Sequence, residues 1–212
     1  MAKIDERKIM QMFDYLSDER TSVDNTDGAI VFGRADPRVA KRAASLYHNQ
    51  SGYLLFTGGI GKDSGILTEF QIPEAYFLAA IANSEYQVPR GAIYLEPRAA
   101  NGADCCRFSL DKIAAESLPH DNLTLVAHST SLRRLDILMK NIIAKEKPQF
   151  ASTKFERVGT NYPFDAHKPL DQREAVAELL RVADWPAIYG WNAAEDLPQD
   201  LVDYAREIKE IL

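Results

Sequence analysis

Gly28-Ala29-Ile30-Val31-Phe32-Gly33 is the stretch that decides the fold, a short unbroken apolar run bounded by glycine. It shows no polar alternation, so a strand built from it must be covered on both faces, as in a parallel sheet flanked by helices. Three runs of the same kind follow, Tyr53 to Thr57, Ala92 to Leu95 and Leu123 to Ala127, with helical patterns between them. That alternation is the signature of βαβ units.

Each intervening helix carries a start signal and an apolar stripe. Asp36-Pro37 sets a capping carboxylate before a first-turn proline, and Val39, Ala43, Leu46 and Tyr47 then share a face. A second helix opens near Pro73-Glu74, with Ala75, Leu78, Ala79 and Ala82 inward. Asn101 and Asp104 stand at capping-box spacing ahead of Cys106, Leu110, Ile113 and Ala114. A fourth helix begins at Ser129 or Thr130 and carries Leu132, Leu135, Met139, Ile142 and Ile143. The pattern predicts an α/β chain with a mostly parallel, doubly wound sheet.

Upstream, Ile9, Met12, Phe13 and Leu16 mark an N-terminal helix within residues 1–20, capped at Asp5, and Ser22 to Asp27 reads as a connection. Beyond Pro148 the pattern loosens. Thr153 to Val158 fits a fifth strand, Asp171 and Glu174 open a helix carrying Val176, Leu179, Leu180 and Ala183, and a last helix follows Pro198. Residues 148–212 are expected to be an extension packed on the sheet as a lid or brace, within one domain spanning 1–212. Its roughly 60 residues would be marginal alone.

At 212 residues, with 46% hydrophobic and 26% charged side chains, the composition is that of an ordinary globular protein. The net charge of −6 disfavours nucleic-acid and membrane-surface partners. No apolar run approaches the ~20 residues that cross a bilayer, and Met1 to Arg7 lacks the apolar segment of a secretory signal. Cys105 and Cys106 are adjacent, which suits reduced thiols. A cytoplasmic protein with a small-molecule partner is the expectation; none of these features speaks to oligomeric state.

In an open parallel sheet, ligands bind beyond the carboxyl ends of the strands. Those ends lead into Gly33-Arg34-Ala35-Asp36, Thr57-Gly58-Gly59-Ile60-Gly61-Lys62, then Glu96, Arg98 and Asn101, then His128, Ser129, Thr130, Arg133 and Arg134. Glycine admits close backbone approach, while the arginines, Lys62 and helix N-termini supply positive charge, so the expected ligand is anionic or nucleotide-like. The glycine loop matches neither common nucleotide fingerprint. Gly61-Lys62 is followed by Asp63 where a P-loop needs Ser or Thr, and Gly59-Ile60-Gly61 leads to Ser64 where a third glycine belongs.

Plainer readings stand beside these. Asp36, Asn101, Asp104 and Ser129 also read as helix caps, and Gly58-Gly59 as an ordinary strand-to-helix turn. Two adjacent arginines, Arg133 and Arg134, oppose the dipole in a first helical turn, which favours a functional use for at least one. Glu96, an acid ending a buried strand, is hard to explain by packing. His48, His120, His128 and His167 show no metal-ligand spacing, so no metal is expected from them, while carboxylates at the loops leave room for a divalent ion shared with a ligand's phosphates. Glu74, Glu96 and His128 are the candidate acid–base residues.

Taken in order, Asp27 to Gly33, Leu55-Phe56-Thr57-Gly58-Gly59-Ile60-Gly61, Glu74-Ala75, Ile93-Tyr94-Leu95-Glu96, Asn101 to Arg107-Phe108-Ser109, and Thr130 with Arg133-Arg134 resemble the SanA, ElyC and YdcF group, a bacterial domain of unknown function. The glycine loop and Arg107-Phe108-Ser109 look closest to the soluble YdcF branch. The chain departs from the group's pattern at Ala100 and Cys105. The resemblance implies a Rossmann-like three-layer αβα sandwich with a pocket among these loops, and S-adenosylmethionine as a ligand. On that reading Glu96 accepts from ribose hydroxyls, Gly58-Gly59 approaches an anionic or zwitterionic group, and Arg133 or Arg134 grips a carboxylate or phosphate. The chain is then a small-molecule-binding protein, with group transfer as one use. Hydrolysis of a phosphoester or other anionic metabolite, and ligand sensing with the tail as moving part, stand as alternatives.

Overall fold

The computed structural model describes residues 4–19, 26–49, 52–61 and 65–212; Lys62 and Ser64 of the glycine loop, and most of the expected Ser22 to Asp27 connection, lie outside the described residues. Among the described residues, five parallel strands form one sheet in the order β3-β2-β1-β4-β5. They are β1 (Gly28–Phe32), β2 (Tyr53–Thr57), β3 (Ile93–Glu96), β4 (Asn122–Ala127) and β5 (Lys154–Gly159). Every residue of β1 and β2 is buried, the burial their unbroken apolar composition requires.

Alternate residues serve opposite layers. Ile30, Leu55 and Leu125 join Leu110 and Ile113 of α5 (Gly102–Ala115) and Met139 and Ile142 of α6 (Leu132–Glu146) in one apolar cluster. Val31, Phe56 and Val126 join Val39 of α2 (Pro37–Asn49) and Leu78 of α4 (Glu74–Ser84) in another. This is a Rossmann-like three-layer αβα sandwich. Between β2 and α4 runs α3 (Ile66–Glu69), four residues long and too short to show a period.

A third cluster lies apart from these layers. Ile9, Met12 and Leu16 of α1 (Glu6–Leu16) pack with Val176 and Leu179 of α7 (Pro169–Tyr189) and with Leu201 and Ala205 of α8 (Gln199–Ile208). The segment expected to lie on the sheet therefore meets it through β5, while its helices pack chiefly on α1, on each other and on α6. An amphipathic α1 has a stripe of its own to bury, and α7 supplies the matching face.

Local expectations are met at Asn101, whose side chain caps α5 by accepting from the Asp104 amide at 3.0 Å. They are not met at Ser129. Ser129–Ser131 forms a 3₁₀ turn before α6, and the Ser129 hydroxyl donates to the Thr160 carbonyl instead of capping a helix. Among the described residues, no helix is long and apolar enough to cross a membrane.

Candidate ligand site at the strand ends

β1 and β4 are neighbours, and the helices that follow them, α2 and α6, cover opposite faces of the sheet. The crevice opened by that divergence is where doubly wound proteins bind ligands. Arg34, just past β1, grips Glu174 of α7 with two parallel bonds, Nη1 to Oε1 at 2.7 Å and Nη2 to Oε2 at 2.9 Å. The Thr130 hydroxyl donates to the same Oε1, and His128 Nδ1 lies 2.8 Å from Thr130 Oγ1. A threonine hydroxyl has one proton, here given to Glu174, so the imidazole proton belongs on Nδ1 and Nε2 is left as an acceptor. Nε2 stands 3.6 Å from Asp36 Oδ2.

Asp36 caps α2, accepting from the Arg38 amide at 3.0 Å and from Arg38 Nε at 2.9 Å. Its carboxylate thus fills the helix N-terminus that often binds phosphate in this fold. Tyr162, after β5, packs its ring 4.6 Å from that of His128 and carries the Arg38 guanidinium on the same ring at 4.6 Å. Its hydroxyl donates to Asp171 of α7 at 2.5 Å.

His128 is 2% exposed, and burial followed by the Arg34 charge outweighs the pull of Glu174 and Asp36, pushing its pKa down to about 4. The imidazole is neutral at neutral pH. Burial would raise the Glu174 carboxyl, but the Arg34 and Thr130 hydrogen bonds outweigh it and hold Glu174 below the usual carboxylate range. Asp36 is lowered in the same way, Arg38 overriding its burial.

The loops after β2 and β3 form the adjoining part of the rim. Glu74 reaches over the ends of β1 and β2: a Cβ on Gly33 would come within 2.5 Å of its Oε2, and one on Gly58 within 3.2 Å. Gly58 also has φ of +139°, a conformation L side chains rarely adopt. The structure thus joins Gly33, Gly58 and Glu74 as expected, but gives the glycine loop a different use. The Gly58 amide donates to the Glu96 carbonyl at 2.9 Å and the Gly59 amide to the Ala99 carbonyl at 2.7 Å, so both are spent on the neighbouring loop. Gly61 continues that loop into the part outside the described residues.

Glu96, 2% exposed, is spent likewise, accepting from Thr57 Oγ1 at 3.0 Å, the Arg98 amide at 3.0 Å and the Ala99 amide at 3.3 Å. These donors explain the acid at the end of a buried strand: it organises the turn after β3, and both its oxygens accept from that turn or from Thr57. Burial above all pushes the adjacent Cys105 thiol up to about 12, which removes it as a nucleophile.

Arg133 is turned away from this rim cluster, whereas Arg134 lies beside it, its Nη1 2.9 Å from where a Cβ on Gly102 would stand and its partner Glu178 one turn beyond Glu174. Arg133 pairs with Asp18 and Asp196 and lies on the Tyr15 ring. It borders a separate cleft of about 490 Å³ with Asp136, Lys140, Arg157 and Asn192 to Asp196. Arg134 bonds Glu178 at 2.6 Å and stacks on Trp185. The dipole penalty of two first-turn arginines is offset by these carboxylates, which tie α6 to the third cluster. Asn101 and Asp104 form an exposed cap, with Arg107 3.3 Å from Asp104 and 2.6 Å from Glu146. Among the described residues, no group of His, Cys, Asp and Glu is arranged to hold a metal ion.

Glu174, Asp171, Tyr162 and Arg38 enter the site without having been singled out for it. Glu174 and Asp171 read in sequence only as ordinary acids at a helix start, and Tyr162 carries no local signal at all. No family model matches the chain, and no curated protein matches it significantly in sequence.

Proposed function

We propose that this chain is a small-molecule-binding protein whose ligand presents a carboxylate or phosphate to Arg34 in the crevice between β1 and β4. S-adenosylmethionine, or another adenosine-bearing anion or zwitterion, is the class implied by the YdcF-like resemblance. The observation that carries this reading is the Arg34 fork: at the switch point of the sheet, a guanidinium with a 37% exposed side chain already holds a carboxylate in bidentate geometry. Arg38, carried on the Tyr162 ring, sets a second positive charge beside the fork.

Hydrolysis finds less support. His128 Nε2 has the free lone pair of a base, but an imidazole with a pKa of about 4 takes up a proton poorly near neutrality. Glu96 is committed to its own loop.

The test is a thermal-shift series with S-adenosylmethionine, S-adenosylhomocysteine, ADP and orthophosphate. A ligand at ~100 times its Kd adds about 2.7 kcal/mol, which raises Tm by roughly 5–10 °C for a chain of this length. Arg34→Ala is expected to abolish the shift and Arg134→Ala to retain it. No shift with any of the four, or a shift that survives Arg34→Ala, overturns the reading.

A further inference from the structure

The seat just described is filled by the protein itself. Glu174 takes both Arg34 Nη donors and the proton of Thr130, so the donors that face the crevice from β1 and β4 are engaged by one carboxylate. That carboxylate comes from 140 residues away, on a helix outside the αβα layers. The pair faces outward, with side chains 37% and 18% exposed for Arg34 and Glu174. The helix bearing it is held mainly on another face, where Ala175, Val176 and Leu179 sit in the third apolar cluster. Leu170, one turn before Glu174, is 70% exposed. Glu174 can therefore leave Arg34 by turning its side chain without opening an apolar core, and its departure frees the start of α7 from Arg34 and Thr130 while Ala175 and Val176 stay seated in the third cluster.

We propose that Glu174 is the resident occupant of the anion seat: it holds Arg34 and Thr130 until the carboxylate or phosphate of a ligand displaces it, and that exchange loosens the first two turns of α7. This rests on the binding reading above and adds its regulation. A tethered carboxylate competes at high effective concentration, so the apparent affinity for any anionic ligand is lowered by the fraction of time the seat is taken. It also selects the ligand's anchoring group, which must offer two oxygens to the guanidinium fork and accept from a hydroxyl. Glu174 is an effective competitor because Arg34 and Thr130 outweigh the effect of burial and keep it ionised.

The test is calorimetric titration of the native chain, Glu174→Gln and Arg34→Ala with S-adenosylmethionine in one arm and ADP in the other. Glu174→Gln is expected to bind one of them at least tenfold more tightly than the native chain, the arm naming carboxylate or phosphate as the anchor. Hydrogen exchange on the native chain adds a readout free of any variant: residues 169–178 should exchange faster with the ligand bound. Equal or weaker binding by Glu174→Gln, while Arg34→Ala still abolishes binding, overturns the competitor and leaves the binding site standing. Binding of neither probe to the native chain or to Glu174→Gln overturns both. If Glu174→Gln does not fold, unchanged or slower exchange at 169–178 overturns the competitor by itself.

Discussion

His128 shows how much a single buried group can govern. Its ring is enclosed by Tyr162, Thr130, Asp36 and Glu174, and it stays neutral because burial and the Arg34 charge outweigh two nearby carboxylates. In the unfolded chain the same imidazole titrates near ~6.5, against about 4 in the fold. Between those values the unfolded chain binds a proton that the native state does not. Stability from His128 is thus fully present above the unfolded value and is lost as pH falls from ~6.5 towards 4, by about 2 kcal/mol at pH 5. Asp36 and Glu174, both held low, contribute stability above the ordinary carboxyl range that is lost only as pH falls below it. Urea midpoints at pH 7.5 and pH 5 should therefore show a drop in the native chain that is reduced by about 2 kcal/mol in His128→Asn. An unchanged drop in the variant would assign the proton uptake to another group.

At the scale of elements, the strands are legible because a doubly covered strand needs only an apolar run, and Ile30, Leu55 and Leu125 on one face with Val31, Phe56 and Val126 on the other satisfy it. Strand order is not legible, since Gly28 lies opposite both Tyr53 and Leu123, pairings no local window contains. The site divides along the same line. Gly33, Arg34, Glu74, His128 and Thr130 come to the rim because they follow strands or open a helix beside them, whereas Glu174 and Asp171 arrive through the docking of α7. Arg133 and Arg134 did need compensating charge, but it came from Asp18, Asp196 and Glu178, which only tertiary packing brings near. The glycine loop teaches a related lesson, for its small residues admit another loop. A Cβ on Gly59 would stand 2.7 Å from the Ala99 carbonyl oxygen and 2.9 Å from that of Pro97, both backbone atoms with little room to yield. Gly59→Ala is expected to cost about 1–3 kcal/mol, a Tm fall of roughly 2–12 °C. Gly91→Ala, whose Cβ meets nothing within 4 Å, is the control with Tm nearly unchanged. Equal melting of the two variants would mean that the β2 and β3 loops are not packed as described.

At the scale of the molecule, three apolar clusters among the described residues divide the work: two hold helices to the sheet, and the third binds the N-terminal helix to the last two. The third has little contact with strands, yet it aims Glu174 and Asp171 at the strand ends, so the stability of its docking sets how firmly the rim is closed. Ile9, fully buried there, is far in sequence from both α7 and α8 and touches neither sheet layer's cluster. Ile9→Ala should cost about 2–5 kcal/mol through the cavity it leaves. If the third cluster can open as a unit of its own, that loss falls on local opening, and amide exchange should accelerate in α7 and α8 well before it does in β1 and β4. The Arg34–Glu174 pair would then be met less often, and the thermal shift produced by an anionic ligand should grow, because its tethered competitor has been weakened. Equal acceleration in the strands and in α7 would mean instead that the three clusters open together. In that case α7 would have no separate opening, and only the loss of its tie to Arg34 and Thr130 would loosen its first two turns.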